Sequence, residues 1–432
     1  MRMPVALEEV STEAIPGSAD RYRPRVSEAD AAPRGGLSSP MHVCHVSWLL
    51  SPRGGGIPPV VFALAAHQRR RLASVNVLGV EDGGRGPIDP EAPSLRLHRA
   101  LGPSALGWPP GMVLDLLSRQ PDVVHLHGLF TGVSLAARMW KQWASGTLVV
   151  APHGMLEPWA LARSAWKKRL FLHLAERANL ERARCIHALC SEEAHSIRAL
   201  GLRTPIAVVP NGVDLDRVRG ERDVRACSAL FPHTRGRRLL LFLGRIHPKK
   251  GLLNLVRAFA AVQRELAGGD EWLLLVAGPD QIGHAAQVRA LATAQGVSDQ
   301  VDMVGPVLGE KKRALLAAAD AFALPSYSEG FSMAVLEALA WRIPALVTRS
   351  CNFDVAQFGA GVVCDATLES ITESLRSLLC ATRAERRAMG DAGRRRVEAF
   401  YRWDHIAGQL ESVYAWASRQ GDRPRCVQEF LA

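Results

Sequence analysis

No stretch of this sequence reaches the roughly 18 consecutive apolar residues that a membrane-spanning helix needs. Near the N-terminus, Glu8, Glu9, Glu13 and Pro16 stand where a secretory leader would need an apolar core. Its eight cysteines (44, 185, 190, 227, 351, 364, 380 and 426) form no C-x-x-C pair and no metal-finger spacing, so they read as ordinary thiols in a reducing compartment. Also missing is the regular basic and aromatic spacing of a nucleic-acid module. The net charge of +11, carried by far more Arg than Lys, therefore points to nucleotide phosphates or anionic lipid rather than nucleic acid. The expectation is a cytoplasmic protein with no nucleic-acid partner.

What is present is a long alternation of short apolar runs and helical segments. Residues 1 to about 40 are rich in Pro, Ser, Ala and charge and read as a disordered tail. From Met41, strand candidates fall at 42–50, 75–80, 122–127, 147–151, 185–190 and 206–210, with amphipathic helices such as 60–71 and 111–119 between them. After a polar region at 220–237 the pattern restarts, with strands at 239–243, 272–277, 301–304, 321–324 and 345–347. Such alternation implies parallel sheets covered by helices. The reading is α/β, with two doubly wound, Rossmann-like domains facing across a cleft. One spans 41–214, completed by a C-terminal helix at about 398–420; the other spans 215–397. With 432 residues, each can hold a full core. Ligands in such sheets bind at the carboxyl ends of the strands, so the loops there carry the candidates.

Ser328 to Glu337 is the most telling loop. A buried strand ends at Pro325 and Ser326, a short polar turn follows, and then a helix with Glu329 just before it and Glu337 inside it. Its first N–H groups and positive dipole end suit a phosphate, and Glu329 and Glu337 offer acceptors for hydroxyls. Eight helical residues rise about 12 Å, more than the roughly 5–9.5 Å between the carboxyls of a glycoside hydrolase pair. Separate roles fit better: Glu329 for a sugar and Glu337 for a ribose. An unpaired Glu337 among Val335, Leu336, Ala338 and Leu339 would be costly if buried.

Gly244 to Gly251 follows another apolar strand and opens a helix. Arg245 brings a planar fork for phosphate oxygens and Lys250 a compact charge near the helix start. Ser51 to Gly56 follows the first strand, and its glycines permit close approach of a ligand or make a flexible turn; both readings stand. It is not a G-x-G-x-x-G fingerprint. His153 follows the strand ending at Ala151 and should face the cleft. His125 and His127 share one strand face, but no third ligand is spaced nearby, so structural or acceptor-side roles are preferred and no metal is assigned. Arg163, Lys167, Lys168 and Arg169, interleaved with Trp166, Leu170, Phe171 and Leu174, read as a surface helix or as a contact with an anionic membrane.

Taken together in their order and spacing, these motifs resemble the family 4 retaining glycosyltransferases of the GT-B fold over about 41–417. Glu329 to Glu337 is similar to that family's E-x7-E segment, and Gly244-Arg245 with Lys250-Gly251 to its diphosphate-binding pair. Val208 to Asp214 and Ser191-Glu192-Glu193 also fit, and Pro152 to Leu161 looks like a subgroup of bacterial exopolysaccharide and lipopolysaccharide assembly. The resemblance implies a nucleotide-sugar donor on the second domain and a saccharide or lipid-linked acceptor on the first. It implies transfer with retention, no essential metal or other cofactor, and peripheral contact with the inner face of the plasma membrane. Arg245 and Lys250 would neutralise the departing diphosphate. Glu329, His153 and the segment Gly330, Phe331 and Ser332 would hold the donor sugar, Glu337 the ribose, and Gly55 and Gly56 would approach the diphosphate or acceptor. The sequence departs from the family at Cys351 to Val355, which loses the usual acid, and at His247. The alternatives are a GT-B-fold sugar-nucleotide epimerase and a non-catalytic sugar-nucleotide-binding subunit.

Overall fold

The computed structural model describes residues 41–430 apart from 84–85, 88, 90–91, 93, 103–106, 163–169, 219–221 and 267–270. The tail at 1–40 and the basic residues Arg163, Lys167, Lys168 and Arg169 lie outside the described residues.

Two sheets organise the chain. The first contains β1 (His42–Leu49), β2 (Ser74–Val80), β3 (Leu95–His98), β4 (Val123–His127), β5 (Thr147–Ala151), β6 (Cys185–Ala188) and β7 (Ile206–Val208). The second contains β8 (Arg238–Leu243), β9 (Trp272–Ala277), β10 (Val301–Gly305), β11 (Ala321–Leu324), β12 (Ala345–Thr348) and β13 (Gly361–Cys364). A last strand, β14 (Val427–Gln428), adds to the first sheet antiparallel to β7. The other pairings between these strands are parallel. Strands such as Trp272–Ala277 are buried along their whole length, as expected where helices cover both faces of a parallel sheet. The α/β class with two doubly wound sheets is as the sequence implies.

Strand order places the site. The first sheet runs β14-β7-β6-β5-β4-β1-β2-β3 and the second β10-β9-β8-β11-β12-β13. Order reverses between β1 and β4 in the first, and between β8 and β11 in the second. At such a switch point the loops leaving neighbouring strands diverge and open a crevice. The loops at Ser51–Gly56, Gly244–Gly251 and Pro325–Ser332 leave β1, β8 and β11 respectively.

Two crossings join the sheets, and they run side by side. Val213 N–H donates to Tyr401 O at 2.7 Å, and Val213 also bridges Arg402. The returning helix Trp403–Ala417 then packs on the first sheet, where Trp403, Leu410 and Tyr414 share a core with Val43, Val77 and Val123. Gly212 makes the crossing tight: a Cβ there would lie 2.6 Å from the Trp403 ring.

Candidate active site

The loops after β8 and β11 are laced together by backbone. Gly251 adopts φ +68°, and a Cβ on it would sit 2.1 Å from Pro325 O. Tyr327 N–H donates to Lys249 O at 2.8 Å. A short turn, Pro248–Lys250, is capped by His247, whose Nδ1 accepts from Lys249 N–H. This arrangement brings Lys250 Nζ to 2.5 Å from Glu329 Oε1, with both side chains nearly buried. Ser326 Oγ donates to the same oxygen at 2.5 Å. Burial alone would raise the Glu329 carboxyl; the Lys250 charge and the hydrogen bonds from Lys250 and Ser326 outweigh it and hold the group below the usual carboxylate range. Lys249 is lowered as well, but by its own burial, which outweighs the raising effect of Glu329 and Glu157. Arg245 is exposed at the loop's outer edge.

Asn352 fixes the turn between Glu329 and the helix Met333–Ala340. Its side-chain N–H groups donate to Glu329 O at 2.6 Å and Gly330 O at 3.2 Å. The residue itself sits at φ +57°, a left-handed position that Asn tolerates. Asn352 therefore gives the divergent segment after Thr348 a role that its sequence did not announce. Ser332 Oγ caps the helix, accepting from Val335 N–H, and the Phe331 ring packs against Phe353 and Tyr401. Both side chains are occupied, so what this stretch can offer a ligand is backbone. Among the described residues, no hydrogen bond outside regular elements uses the N–H of Gly330, Phe331 or Ser332. Glu337 is half-buried and pairs with Lys312 at 2.6 Å, so the unpaired acid envisaged from its apolar neighbours has a partner.

The first sheet meets this loop directly. His153 and Gly154 both take left-handed φ, +53° and +74°. Gly154 N–H donates to Glu193 Oε1 at 2.6 Å, and Leu189 N–H to Oε2 at 2.8 Å. Glu193 is fully buried, and desolvation pushes its carboxyl up to about 7 against those two N–H bonds. Across the cleft, Gly154 and Gly330 touch backbone to backbone: a Cβ on either would lie 3.2 Å from the other's Cα. Cys190 Sγ donates to Gly330 O at 3.2 Å, and Ser328 Oγ to Glu157 Oε2 at 2.9 Å. Burial raises the Glu157 carboxyl. Lys249 Nζ lies 4.9 Å from the centre of the Trp159 ring, a cation–π contact.

After β1, Gly55 and Gly56 are exposed, with open space where a Cβ would stand. The loop is pinned rather than loose. Asp82 accepts from Ser51 Oγ at 2.5 Å and from Arg53 Nη1 at 2.7 Å. The glycine that packing demands is Gly54, whose Cβ would lie 2.4 Å from Leu49 O.

The expectation that His125 and His127 have no third ligand nearby is corrected. His45 pairs with His125 in the β1–β4 register, and one ring nitrogen from each of His45, His125 and His127 lies within 4.8 Å of the others. All six of their ring nitrogens already have protein partners. His153 joins this group through His127 at 3.0 Å. Lys250, Glu329 and Gly330 thus meet the His153 segment, while Glu337 lies with Lys312 on the helix beyond. Glu157 and Glu193 lie in segments the sequence singled out, but their partners Ser328 and Gly154, like those of Asn352 and Lys312, are 23 to 171 residues away and were not legible. The Ser326 bond to Glu329 was missed within its own turn.

Comparison with known proteins agrees with this geometry. The family described as "Glycosyl transferases group 1" matches residues 231–396, and "Glycosyl transferase 4-like domain" matches 55–212. A Xanthomonas campestris GDP-mannose:cellobiosyl-diphosphopolyprenol alpha-mannosyltransferase is 27% identical over 390 residues, covering 87% of this chain and 96% of its own. A D-inositol 3-phosphate glycosyltransferase of Nocardia farcinica is 32% identical, over 68% of this chain and 66% of its own. The crystal structure of Anabaena HepE with UDP and glucose superposes with a TM-score of 0.70 at 16% identity, covering 87% of this chain and 100% of that one. The chain is a glycosyltransferase and belongs to the family 4 type with the GT-B fold.

Proposed function

We propose that this enzyme moves a hexose from a nucleotide-diphospho-sugar to a lipid-linked saccharide, with retention at the anomeric carbon, in the assembly of a cell-surface polysaccharide. The Lys250–Glu329 pair at the switch point of the second sheet carries the reading. The pair is preorganised: Lys250 and Ser326 help to hold the Glu329 carboxylate ionised, and both side chains of the pair are nearly buried. A bound diphosphate offers Lys250 two negative oxygens, and turning toward them frees Glu329 to accept from a sugar hydroxyl. Arg245, exposed on the same loop, supplies the second positive charge. As the bond between the anomeric carbon and the diphosphate oxygen breaks, charge develops on that oxygen, and fixed cations there lower the barrier. The N–H groups of Gly330, Phe331 and Ser332 and the dipole of the following helix add to the same field. His153 contacts the donor sugar, Glu337 the ribose, and Gly55 and Gly56 the diphosphate or acceptor. The protein's own charge does the work that a metal would otherwise do, so no metal is required.

GDP-mannose is the first donor to try and a diphosphopolyprenyl-linked saccharide the first acceptor, because the Xanthomonas relative's name carries both and that similarity spans nearly its whole length. No helix among the described residues is long and apolar enough to cross a membrane, so contact with a lipid-linked acceptor would be peripheral. The test is transfer of radiolabelled mannose to such an acceptor, with the product's anomeric configuration read by NMR and the rate compared with and without chelator. An α-linked product formed equally with chelator supports the proposal. An inverted product, or an absolute need for metal, contradicts it.

A further inference from the structure

Five histidines, on β1, β4, β6 and the turn after β5, form two directional hydrogen-bonded chains. In one, Gln68 Oε1 lies 2.8 Å from His45 Nε2, His45 Nδ1 lies 3.0 Å from His127 Nε2, and His127 Nδ1 lies 3.0 Å from His153 Nε2. In the other, Val209 O lies 2.7 Å from His187 Nε2, His187 Nδ1 lies 3.3 Å from His125 Nε2, and His125 Nδ1 lies 2.7 Å from the Tyr414 hydroxyl. With the Gln68 amide turned so that Oε1 faces His45, each chain ends on a carbonyl oxygen, which can only accept. That end fixes every proton along it. His45 must donate from Nε2 to Gln68, so its Nδ1 is bare and accepts from His127 Nε2. His127 Nδ1 is then bare and accepts from His153 Nε2. The rings are neutral, because burial lowers all five.

We propose that Gln68, His45 and His127 are positioning residues that hold His153 as the Nε2–H tautomer, so that its Nδ1 presents a lone pair to a donor-sugar hydroxyl. The argument deepens the proposed role of His153 in donor binding and rests on it. His153 is the partly exposed end of the chain, while His45 and His127 are buried. It sits at φ +53°, a conformation that costs a non-glycine residue energy and persists only where the surroundings impose it. The bond to His127 on one side and the Gly154–Glu193 bond on the other impose it here. A ring of the opposite tautomer would turn a donor to the sugar and leave His127 Nδ1 unpartnered. The same proton accounting leaves no ring nitrogen of His45, His125 or His127 spare for a metal.

The experiment is ¹⁵N NMR of the full chain labelled at histidine, with the His153 signals assigned by their loss in His153→Ala. Protonated Nε2 and bare Nδ1 at His153 near neutral pH are expected, and this readout needs no substrate. His127→Asn keeps an acceptor where Nδ1 stood and should keep both the tautomer and the donor KM. His127→Leu removes it and should raise the donor KM by about tenfold, the worth of one hydrogen bond, while binding of GDP or UDP stays unchanged. A general loss of structure would weaken nucleotide binding as well. Should His127→Leu fail to fold, Gln68→Leu releases the chain from its carbonyl end and is read the same way. Protonated Nδ1 at His153, a charged ring, or stoichiometric zinc that survives dialysis against chelator would each overturn the tautomer assignment. Unchanged transfer by His153→Ala would instead overturn the donor contact and leave the tautomer standing.

Discussion

Lys250 Nζ and Glu329 Oε1 stand 2.5 Å apart although 79 residues separate them. They meet because β8 and β11 are neighbours in the second sheet and each ends in a loop at the switch point. A buried carboxylate and a buried ammonium so placed stabilise each other, and removing either strands the other in a dry site. Lys250→Ala should therefore lower kcat by roughly 10²–10³-fold or more. It should also let the Glu329 carboxyl rise, since Lys250 is what holds it down against burial. Steady-state kinetics with circular dichroism checks this, and near-normal transfer by a folded Lys250→Ala would remove the diphosphate role.

Asn352 makes a second expectation, because two substitutions separate its backbone from its amide. Asn352→Gly keeps the left-handed conformation and loses the bonds to Glu329 O and Gly330 O. Asn352→Ala loses both and adds a steric cost of about 1–2 kcal/mol. Both should raise the donor KM by a similar factor, with Ala alone lowering Tm markedly. A normal KM in Asn352→Gly would show that the clamp does not matter for donor binding.

Contact between Gly154 and Gly330 can be tested in the same way. Gly330 has no positive φ, so Gly330→Ala adds only a Cβ 3.2 Å from Gly154 Cα and 3.5 Å from Glu157 Oε1. Gly154→Ala adds strain at φ +74° as well. Thermal unfolding should show Gly154→Ala destabilised by about 1–2 kcal/mol and Gly330→Ala little changed, while kcat/KM falls in both. Full activity in Gly330→Ala would mean that this approach is incidental to catalysis.

The buried histidines predict an acid-sensitive fold. His45 and His187 are lowered to about 4 and His153 to about 3 by desolvation, and His125 and His127 also fall well below their ordinary value. In the unfolded chain all five take up protons near pH 6.5, so between about 6.5 and 4 the unfolded state binds more protons and stability falls as pH falls. Four acids oppose this: Glu193 and Glu411, raised to about 7, and Glu157 and Glu176, also raised by burial, bind protons more tightly when folded and gain stability over the same descent. His67 and His98 are lowered by burial too, and seven rings against four carboxyls leave a net loss. Tm measured at pH 7, 6, 5 and 4 should drop steadily, and a flat or rising series would contradict the neutral network.

Much of this architecture was legible because parallel strands buried on both faces leave continuous apolar runs. Leu239–Leu243 and Trp272–Ala277 are of that kind, and both lie in strands. Leu95–His98, Gly361–Cys364 and Val427–Gln428 went unread, being edge or near-edge pieces of two to four residues and partly exposed. In the site, Lys250 and Glu329 stood out from their loops, but their meeting required the β8–β11 adjacency. His45 looked ordinary until the β1–β4 register set it beside His125. Asn352 acts on carbonyls 22 and 23 residues away, and Glu193 ties the nearby Leu189 to Gly154, 39 residues distant, so local pattern carries no trace of these longer reaches.

The most direct measurement of the central claim is thermal unfolding of the wild type and Lys250→Ala with GDP-mannose, UDP-glucose and ADP-glucose. A ligand bound only by the folded state at about 100 times its Kd adds roughly 2.7 kcal/mol of apparent stability. One diphospho-sugar should raise the wild-type Tm clearly and lose most of that effect in Lys250→Ala. No shift with any of the three, or an equal shift in both proteins, would contradict a donor site built on Lys250 and Glu329.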